Sequence, residues 1–332
     1  MAHSNISIFV PHAGCPHKCS FCDQHSISGA AFIPHGDYVD KVCREALECA
    51  KVPRETEIAF FGGSFTAIKR EYMTELLEAA SKYVGEGGFK GIRISTRPDY
   101  IDNDILKLLK SYGVTSIELG AQSLDDWVLE MNERGHSRED VVNASRLIKK
   151  HGFELGLQMM IGLYGSTRTS EYDTANGICY LKPDTVRIYP VVILRNTKLG
   201  ELFLSGEYKT FSFDEVVEMT AAFMDRFEDA GIRVIKVGLH ASELVEQDMV
   251  GGFYHPAFRE LCEAERYKKA IERILCEHKD VTSADLLVPE RELSKALGQK
   301  KSNIRYFKEK GIELKIIPDK TLKEKLKLIS IS

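Results

Sequence analysis

Three cysteines near the amino terminus carry the strongest chemical signal in this sequence of 332 residues. Cys15, Cys19 and Cys22 follow the spacing C-x3-C-x2-C, so one soft metal centre can bind all three thiolates. Cysteine sulfur is the ligand that holds iron–sulfur clusters. Because a cubane cluster has four irons, three cysteines leave one iron open to a small molecule. The spacing therefore predicts a 4Fe-4S cluster that takes part in chemistry.

Two other interpretations of these cysteines follow from the same residues. A zinc site is the first, because zinc usually takes four protein ligands and His12, His17 or His25 offers the fourth. A disulfide framework is the second, but the other five cysteines are scattered singly, as is typical of proteins in a reducing compartment. We prefer the iron–sulfur cluster and keep zinc as the alternative.

The composition bounds the class of protein. The apolar fraction of 43% is ordinary for a globular chain. The first residues show no basic segment followed by an apolar run, and no apolar run reaches the length of a membrane span. We therefore expect a cytoplasmic protein with no membrane partner.

The charge is distributed unevenly along the chain. Residues 295–332 contain eleven Lys and Arg against four Asp and Glu, a balance of +7, whereas the whole chain carries −4. A basic tail on an acidic body is typical of a segment that contacts a polyanion.

Apolar strand patterns alternate with amphipathic helix patterns through the first two-thirds of the chain. This alternation predicts a parallel sheet with short right-handed crossovers. The fold class is therefore α/β: a partial (β/α)6 barrel over residues 1–279, with an extension, followed by a small C-terminal α+β module over residues 280–332. Residues 233–238 predict one further strand, and residues 239–254 a lid over the barrel mouth. The six barrel strands are predicted at residues 5–10, 57–61, 91–95, 116–119, 154–161 and 185–189.

Glycine-rich or polar motifs follow the predicted strands, at the edge where β/α barrels carry their chemistry. The motifs are Gly62-Gly63-Ser64 after the second strand, Thr96-Arg97 after the third, Glu118 and Gln122 around the end of the fourth, and Gly162 with Gly165 after the fifth. For Arg97 and Glu118, an ordinary paired core group is an equal alternative. Arg134 and His136 are interpreted as helix-end residues.

Arg187 and Tyr189 are the catalytic candidates. They alternate along the sixth predicted strand and therefore share one face of the sheet. If that face lines the lumen, Arg187 can hold a substrate anion, and Tyr189 can donate a hydrogen bond or relay a proton. The alternative for Arg187 is again a paired core group.

The cysteine loop, with Phe21 directly before its last cysteine, resembles the cluster-binding loop of the radical S-adenosylmethionine (radical SAM) superfamily. In that family SAM chelates the open iron, and an electron from the cluster cleaves SAM to methionine and a 5′-deoxyadenosyl radical. The resemblance implies a cluster held by Cys15, Cys19 and Cys22. It also implies an electron donor such as a ferredoxin or flavodoxin.

The strand-end motifs extend this resemblance. The family binds the SAM amino group with a Gly-Gly motif after the second strand, and Gly62-Gly63-Ser64 is similar to it. The glycine motif of its fifth strand, which Gly162 resembles, packs on the adenine. The cofactor-binding residues implied by the resemblance are Phe21, Gly62, Gly63, Ser64, Thr96, Arg97, Gln122 and Gly162.

Longer motifs within residues 8–210 resemble the radical SAM half of the Elongator catalytic subunit. They are residues 95–100, 118–123, 134–136, 160–166 and 187–190. That enzyme modifies the wobble uridine of tRNA and carries an acetyltransferase domain that supplies acetyl-CoA. We expect the SAM-cleaving apparatus here, without an acetyltransferase domain in the last 53 residues.

The basic tail reads as strand, helix, turn, helix and strand, an order that resembles a degenerate KH module. KH domains grip RNA through a GXXG loop between two helices. Here the second glycine of that loop is replaced by Lys301. The residues predicted to bind RNA are Gly298, Gln299, Lys300, Lys301, Arg305 and Lys308. The alternative is a solvated lysine-rich tail that only packs on the barrel.

Three functional hypotheses follow from these features. The first is a radical SAM enzyme that modifies RNA, either tRNA or rRNA, with the tail as an RNA-holding module. The second is a radical SAM enzyme acting on a small metabolite such as a porphyrinogen, which needs no basic tail. The third is a non-catalytic RNA-binding protein that keeps the cluster for stability. Intact motifs at the strand ends favour the two enzymes.

Overall fold

A computed structural model describes residues 4–10, 19–23, 32–239 and 243–332. The chain divides into two compact units. The barrel unit comprises Met1–Phe211 and Arg226–Tyr254, and the C-terminal unit comprises Ser212–Asp225 and His255–Ser332. No helix in the described ranges is both long and apolar enough to cross a membrane.

The barrel unit is built on one curled sheet of seven parallel strands, in the order β1-β2-β3-β4-β5-β6-β8. The predicted class, a partial radical-SAM-type barrel in an α/β chain, is confirmed. The additional strand expected near residue 233 is β8, which extends the sheet beyond β6. The strands are β1 Ser4–Val10, β2 Thr56–Gly62, β3 Gly91–Thr96, β4 Val114–Gln122, β5 Glu154–Ile161, β6 Thr185–Pro190, a short β7 Val192–Leu194 and β8 Arg233–Val237. A further strand, β9 Met249–Gly252, pairs antiparallel with β7 outside this sheet.

Helices connect the parallel strands, and several begin at side-chain caps that the sequence supplies. Asp102 accepts hydrogen bonds from the first free backbone amides of α3. Ser137 with Asp140, and Thr167 with Ser170, form capping boxes at α5 and α6. The helices are α1 Gly36–Cys49, α2 Arg70–Ser81, α3 Asn103–Ser111, α4 Asp126–Met131, α5 Arg138–Lys150, α6 Arg168–Leu181, α7 Lys198–Leu204, α8 Phe213–Asp229 and α9 Glu243–Asp248.

Charged side chains fill the lumen of the sheet on the amino-terminal side of the strands. Arg93 of β3 is fully buried and donates hydrogen bonds to three carboxylates: to Glu57 at 2.8 Å, to Glu118 at 3.1 Å and to Glu154 at 2.6 Å. Burial alone would raise the pKa of Glu57, but Arg93 holds that pKa below its ordinary value. The four side chains come from the four adjacent strands β2 to β5. The ion cluster therefore favours one register of these strands relative to each other.

The C-terminal unit contains a three-stranded sheet in the order β11-β10-β12, with β10 and β11 parallel. Its core is formed by buried side chains such as Leu286 and Phe307. The predicted order strand, helix, turn, helix, strand is present between residues 283 and 319. The boundary predicted between residues 279 and 280 lies inside this unit and stays a prediction. The elements are α10 Phe258–Leu275, β10 Ser283–Pro289, α11 Leu293–Leu297, α12 Ser302–Glu309, β11 Glu313–Asp319 and β12 Lys327–Ile331.

Replacing Arg93 by methionine should destabilise the protein by about 3–5 kcal/mol at pH 7, because the buried Glu57 and Glu118 and the partly buried Glu154 lose the cation that they share. The wild-type pKa of Glu57 is depressed, so wild-type stability changes little between pH 7 and pH 5. In R93M the burial of Glu57 is no longer offset by Arg93, so the pKa of Glu57 rises and this carboxyl takes up a proton in the folded state as the pH falls. The deficit should therefore shrink as the pH falls, which urea unfolding at pH 7 and pH 5 measures.

The matched control for R93M is Lys107→Met, which breaks the exposed ion pair with Asp104. This change should leave the free energy of unfolding almost unaltered at either pH. A deficit of the same size at both pH values in R93M would contradict the assignment of a charged cluster.

Candidate functional site

A cavity of about 300 Å³ opens at the carboxyl ends of the barrel strands. It contains six of the residues predicted from the sequence to bind cofactor, metal or substrate. The other lining residues are mostly apolar or aromatic side chains. The six predicted residues are Phe21, Cys22, Gly62, Gln122, Arg187 and Tyr189.

The described part of the cysteine loop is anchored by contacts far away in the sequence. Ser20 donates its backbone amide to the Asn132 carbonyl at 3.2 Å and its hydroxyl to the Asn132 side-chain oxygen at 2.9 Å. The Leu199 amide, in the first turn of α7, donates to the Ser20 carbonyl at 2.8 Å. Cys19 and Phe21 are buried and Cys22 is half-buried, whereas Cys15 lies outside the described residues.

Arg134 contacts the cluster loop directly. One terminal nitrogen of its guanidinium donates to Cys19 Sγ at 3.0 Å, and the other donates to the Gly120 carbonyl at 2.7 Å. The guanidinium also lies 6.0 Å from the centroid of the Phe21 ring. Sequence reasoning missed this role, because Arg134 stands between α4 and α5, where a helix-end residue is the ordinary interpretation.

His136 follows Arg134 and is also buried. Its Nε2 lies 3.2 Å from the Ala121 carbonyl oxygen. Burial, together with the nearby charges of Arg134 and Arg97, lowers the pKa of His136 to about 4. The imidazole is therefore neutral near pH 7 and adds no positive charge to this region.

The loops after β2 and β3 are linked to each other by their own hydroxyls. Ser64 and Thr96 are buried, with 3.0 Å between their side-chain oxygens, and the Arg97 amide donates to Ser64 Oγ at 3.0 Å. Gly62 lines the cavity with φ of +112°, and a Cβ there would lie 2.6 Å from the Val10 carbonyl oxygen. The Gly63 amide donates to that same oxygen at 3.0 Å. Only glycine at position 62 lets the backbone face the cavity in this way.

Gln122 at the end of β4 carries the clearest sign of a missing partner. Its φ is +64°, unusual for a residue with a side chain, and the pairing of β4 with β5 shifts register there. Its Oε1 is buried with no hydrogen-bond donor among the described residues, and the residue lines the cavity. A ligand hydroxyl or amine in the cavity would satisfy this oxygen, which fits the ribose or amino group of SAM.

Two predicted cofactor residues are occupied by contacts within the protein. The Arg97 guanidinium pairs with both carboxylate oxygens of Asp99 at 2.9 Å. Gly162 packs against the Phe253 ring and donates its amide to Glu171 Oε1 at 2.7 Å. Neither residue lines the cavity, nor do Gly63, Ser64 and Thr96. A role for these five in binding SAM stays a prediction.

Arg187 and Tyr189 do share the lumen face, as expected from their spacing. Arg187 Nε lies 2.7 Å from Glu118 Oε2, and its guanidinium lies 5.0 Å from the centroid of the Phe61 ring. It also donates to the Tyr189 hydroxyl at 3.5 Å. Desolvation raises the pKa of Tyr189, so the phenol stays protonated at neutral pH. Arg187 therefore meets the cavity as the cationic half of an ion pair.

The chain after β6 and β8 covers part of the cavity. Val192 and Leu194 of β7 line it, together with Leu239 and with Val245 of α9. Leu239 and Val245 belong to the segment 239–254 that the sequence predicted as a lid. The apolar side chains on this side exclude water from the polar residues at the strand ends.

The family model described as "Radical SAM superfamily" matches residues 9–176, and one described as "Radical_SAM C-terminal domain" matches residues 183–269. The chain belongs to the radical SAM superfamily. It is an enzyme of this class, and the cofactors are those of the family, a 4Fe-4S cluster and SAM. The resemblance expected from the cysteine loop is confirmed.

Curated relatives carry the second resemblance, to the Elongator catalytic subunit. A tRNA uridine(34) acetyltransferase of Methanocaldococcus infernus is 27% identical over 64% of this chain and 48% of its own length. Human Elongator complex protein 3 is 31% identical over 51% of this chain and 35% of its own length. An uncharacterized protein of Methanocaldococcus jannaschii is 29% identical over 64% of this chain and 68% of its own length. The chain thus spans half or less of the length of the two relatives with a named activity or complex.

Solved structures share the fold. The archaeal Methanocaldococcus infernus Elp3 with an N-terminal deletion aligns with a TM-score of 0.57 and 21% identity, over 74% of this chain and 62% of that one. Coproporphyrinogen III oxidase of Escherichia coli, a radical SAM enzyme, aligns with a TM-score of 0.53 and 14% identity, over 81% of this chain and 76% of that one. At these identities the likeness is one of fold.

Replacing Gly62 by alanine should distort the cavity, because the new Cβ would collide with the Val10 carbonyl. Gly85→Ala is a matched control: Gly85 has φ of +113°, but a Cβ there meets nothing within 4 Å. Both variants carry backbone strain of about 1–3 kcal/mol. Only G62A should also weaken SAM binding, measured by equilibrium dialysis of the reconstituted protein. Equal SAM affinity in the two variants would contradict the placement of Gly62 at the ligand.

Proposed function

We propose that this protein is a radical SAM enzyme that modifies RNA, with tRNA as the first candidate substrate. Cys15, Cys19 and Cys22 hold the 4Fe-4S cluster in this proposal. The observation that carries it is one cavity that unites Cys22 and Gly62 with Gln122 and the Arg187–Tyr189 pair. When bound, the cluster and SAM supply a reductive cleavage that gives methionine and a 5′-deoxyadenosyl radical. A ferredoxin or flavodoxin in the cytoplasm supplies the electron.

Different residues of the cavity make different contacts with SAM in this proposal. Gly62 brings bare backbone against the ligand, and Gln122 Oε1 accepts a hydrogen bond from it. Phe21 contributes an aromatic wall beside the last cysteine. These three residues orient SAM in the proposal. Ser64 and Thr96 do not contact it but link the loop after β2 to the loop after β3 by a hydrogen bond between their hydroxyls.

A second group of cavity residues contacts the substrate in this proposal. Arg187 and Tyr189 present a cation and a protonated phenol, with Gln158 and Ser95 as neutral hydrogen-bonding groups beside them. Because Glu118 already neutralises Arg187, this wall favours a polar, uncharged group over a free anion. Tyr189 donates a hydrogen bond to the substrate, and its raised pKa keeps the proton on the phenol.

The C-terminal unit supports RNA as the partner. Lys300, Lys301, Arg305 and Lys308 are exposed and form no ion pair within the part of the chain that the structure describes. Lys300 and Lys301 have φ of +51° and +59°, in the turn that joins α11 to α12. Exposed cations without carboxylate partners are what phosphate contacts require. We propose that this turn and α12 hold the RNA backbone, together with Gly298 and Gln299.

The relatives point the same way, since the names of two of them refer to tRNA uridine or to the Elongator complex. We propose no acetyl transfer for this chain. Mass spectrometry of RNA nucleosides from cells with and without the protein tests the substrate class. Loss of one modified nucleoside in the deletion strain is the expected result, and an unchanged RNA profile would favour a small metabolite instead.

Alanine substitution of Cys15, Cys19 or Cys22 should abolish iron binding and SAM cleavage, because each removes one thiolate ligand. Cys43→Ala is the control, since Cys43 is also a free cysteine but belongs to α1 and not to the loop. Iron content and 5′-deoxyadenosine release are measured after anaerobic reconstitution. Retention of iron in the three loop variants, or zinc in the wild-type protein, would contradict the proposed ligands.

Glutamine in place of Lys300, Lys301, Arg305 and Lys308 should weaken binding of bulk tRNA and make it less sensitive to salt. Loss of four phosphate contacts lowers the slope of log K against log salt by about 3. The control variant removes the same charge at four ion-paired lysines, namely Lys295, Lys310, Lys320 and Lys325. It should retain most of the wild-type slope, and equal losses in both variants would show non-specific attraction only.

A further inference from the structure

Arg134 is a buried cation without a carboxylate partner among the described residues. The residue is only 6% exposed to solvent. The other buried arginines of the chain are paired: Arg93 with three glutamates, Arg97 with Asp99, and Arg266 with Asp225 and Glu263. A guanidinium cannot lose its proton in a protein, and an isolated buried charge is very costly. A negative group must therefore stand close to Arg134 in the functional protein.

The geometry identifies where that negative charge lies. Arg134 donates to Cys19 Sγ at 3.0 Å, and its Nε is buried with no acceptor in the described ranges. Its remaining contacts are to the Gly120 carbonyl and the Phe21 ring, which are both uncharged. His136, two residues on, is neutral. Of the described contacts of the Arg134 side chain, only that with Cys19 Sγ leads to a group that carries negative charge in the proposal, because Cys19 is a proposed ligand of the cluster.

We infer that Arg134 is a positioning residue for the proposed iron–sulfur centre, which it holds through Cys19 and whose reduction potential its charge raises. The inference rests on the proposed function, because the cysteine ligands are themselves proposed. Net charge and hydrogen bonds to sulfur are two of the factors that set the potential of a protein-bound cluster. Reduction by one electron adds one negative charge to the centre, so a fixed cation beside it favours the reduced state.

The position of the loop does not depend on Arg134 alone. Ser20 is held by Asn132 and by the Leu199 amide, so the loop keeps three anchoring hydrogen bonds when Arg134 is changed. Asn132 is itself fixed, because its side-chain amide donates to the Val128 and Tyr164 carbonyls at 2.8 Å. A variant at position 134 therefore tests charge and the sulfur hydrogen bond more than the fold of the loop.

The experiment uses the full chain reconstituted anaerobically with iron and sulfide, without SAM. Wild type, Arg134→Gln, Arg134→Lys and Arg266→Gln are titrated with dithionite, and the reduced cluster is followed by electron paramagnetic resonance. R134Q should lower the equilibrium constant for reduction about tenfold, a shift of about 59 mV to more negative potential for one electron. R134K keeps the charge and should shift less. R266Q, in the C-terminal unit, should match wild type.

Four outcomes decide the inference. A wild-type potential in R134Q, with full iron content, would overturn it while leaving the proposed cluster intact. Iron in wild type and R134K but not in R134Q would support it, since assembly then depends on the charge. Loss of iron from R134K and R134Q alike, with R266Q fully loaded, would overturn the role of charge. Absence of iron from wild type would overturn the proposed function and this inference together.

Discussion

A single carboxylate, Glu118, joins the interior of the barrel to its cavity. It accepts from Arg93 deep in the lumen and pairs with Arg187 at the cavity wall. Gln158 also donates to it at 3.0 Å. Buried charges are tolerated only when they are fully paired. If one of these side chains moved, it would leave a neighbouring buried charge without its partner. The catalytic candidate Arg187 is therefore held by the same ion cluster that fixes the register of β2 to β5.

The cysteine loop is held by a different part of the chain. The crossover between β4 and β5 supplies Asn132 and Arg134, and α7 supplies the Leu199 amide. Arg134 also donates to Gly120 on β4, two residues before Gln122. One crossover thus contacts both the proposed cluster ligand Cys19 and the strand end that carries Gln122, whose Oε1 has no hydrogen-bond partner within the described ranges. In physical terms, the two regions proposed to bind the cofactors are supported by the same crossover.

The sequence predicts the fold and the cavity edge better than it predicts which side chains face a ligand. Alternation of strand and helix patterns identifies the barrel, since both periods are local properties of the chain. Spacing along β6 places Arg187 and Tyr189 on one face. The partner of Arg134, by contrast, is 115 residues away, and no local pattern records such a contact. Gly162 is similar: its neighbour Phe253 comes from the distant segment after β8.

One local signal was available for Arg97. Asp99 stands two residues later, and the structure pairs the two side chains in a bidentate contact, the paired core group that the sequence left as an equal alternative. The charge count of the tail requires a similar correction. Its balance of +7 treats all lysines as equal, although four of them, Lys295, Lys310, Lys320 and Lys325, lie beside carboxylates.

Exposed ion pairs contribute little to stability, but they do reduce the field that a polyanion meets. The basic side chains of α12 and the turn before it have no such partner in the described residues, so four of the seven tail cations outside these ion pairs lie close together in sequence there. A phosphate backbone would respond to these unpaired cations rather than to the total count of lysines. The position of the acidic residues therefore carries as much information about RNA binding as the lysines themselves.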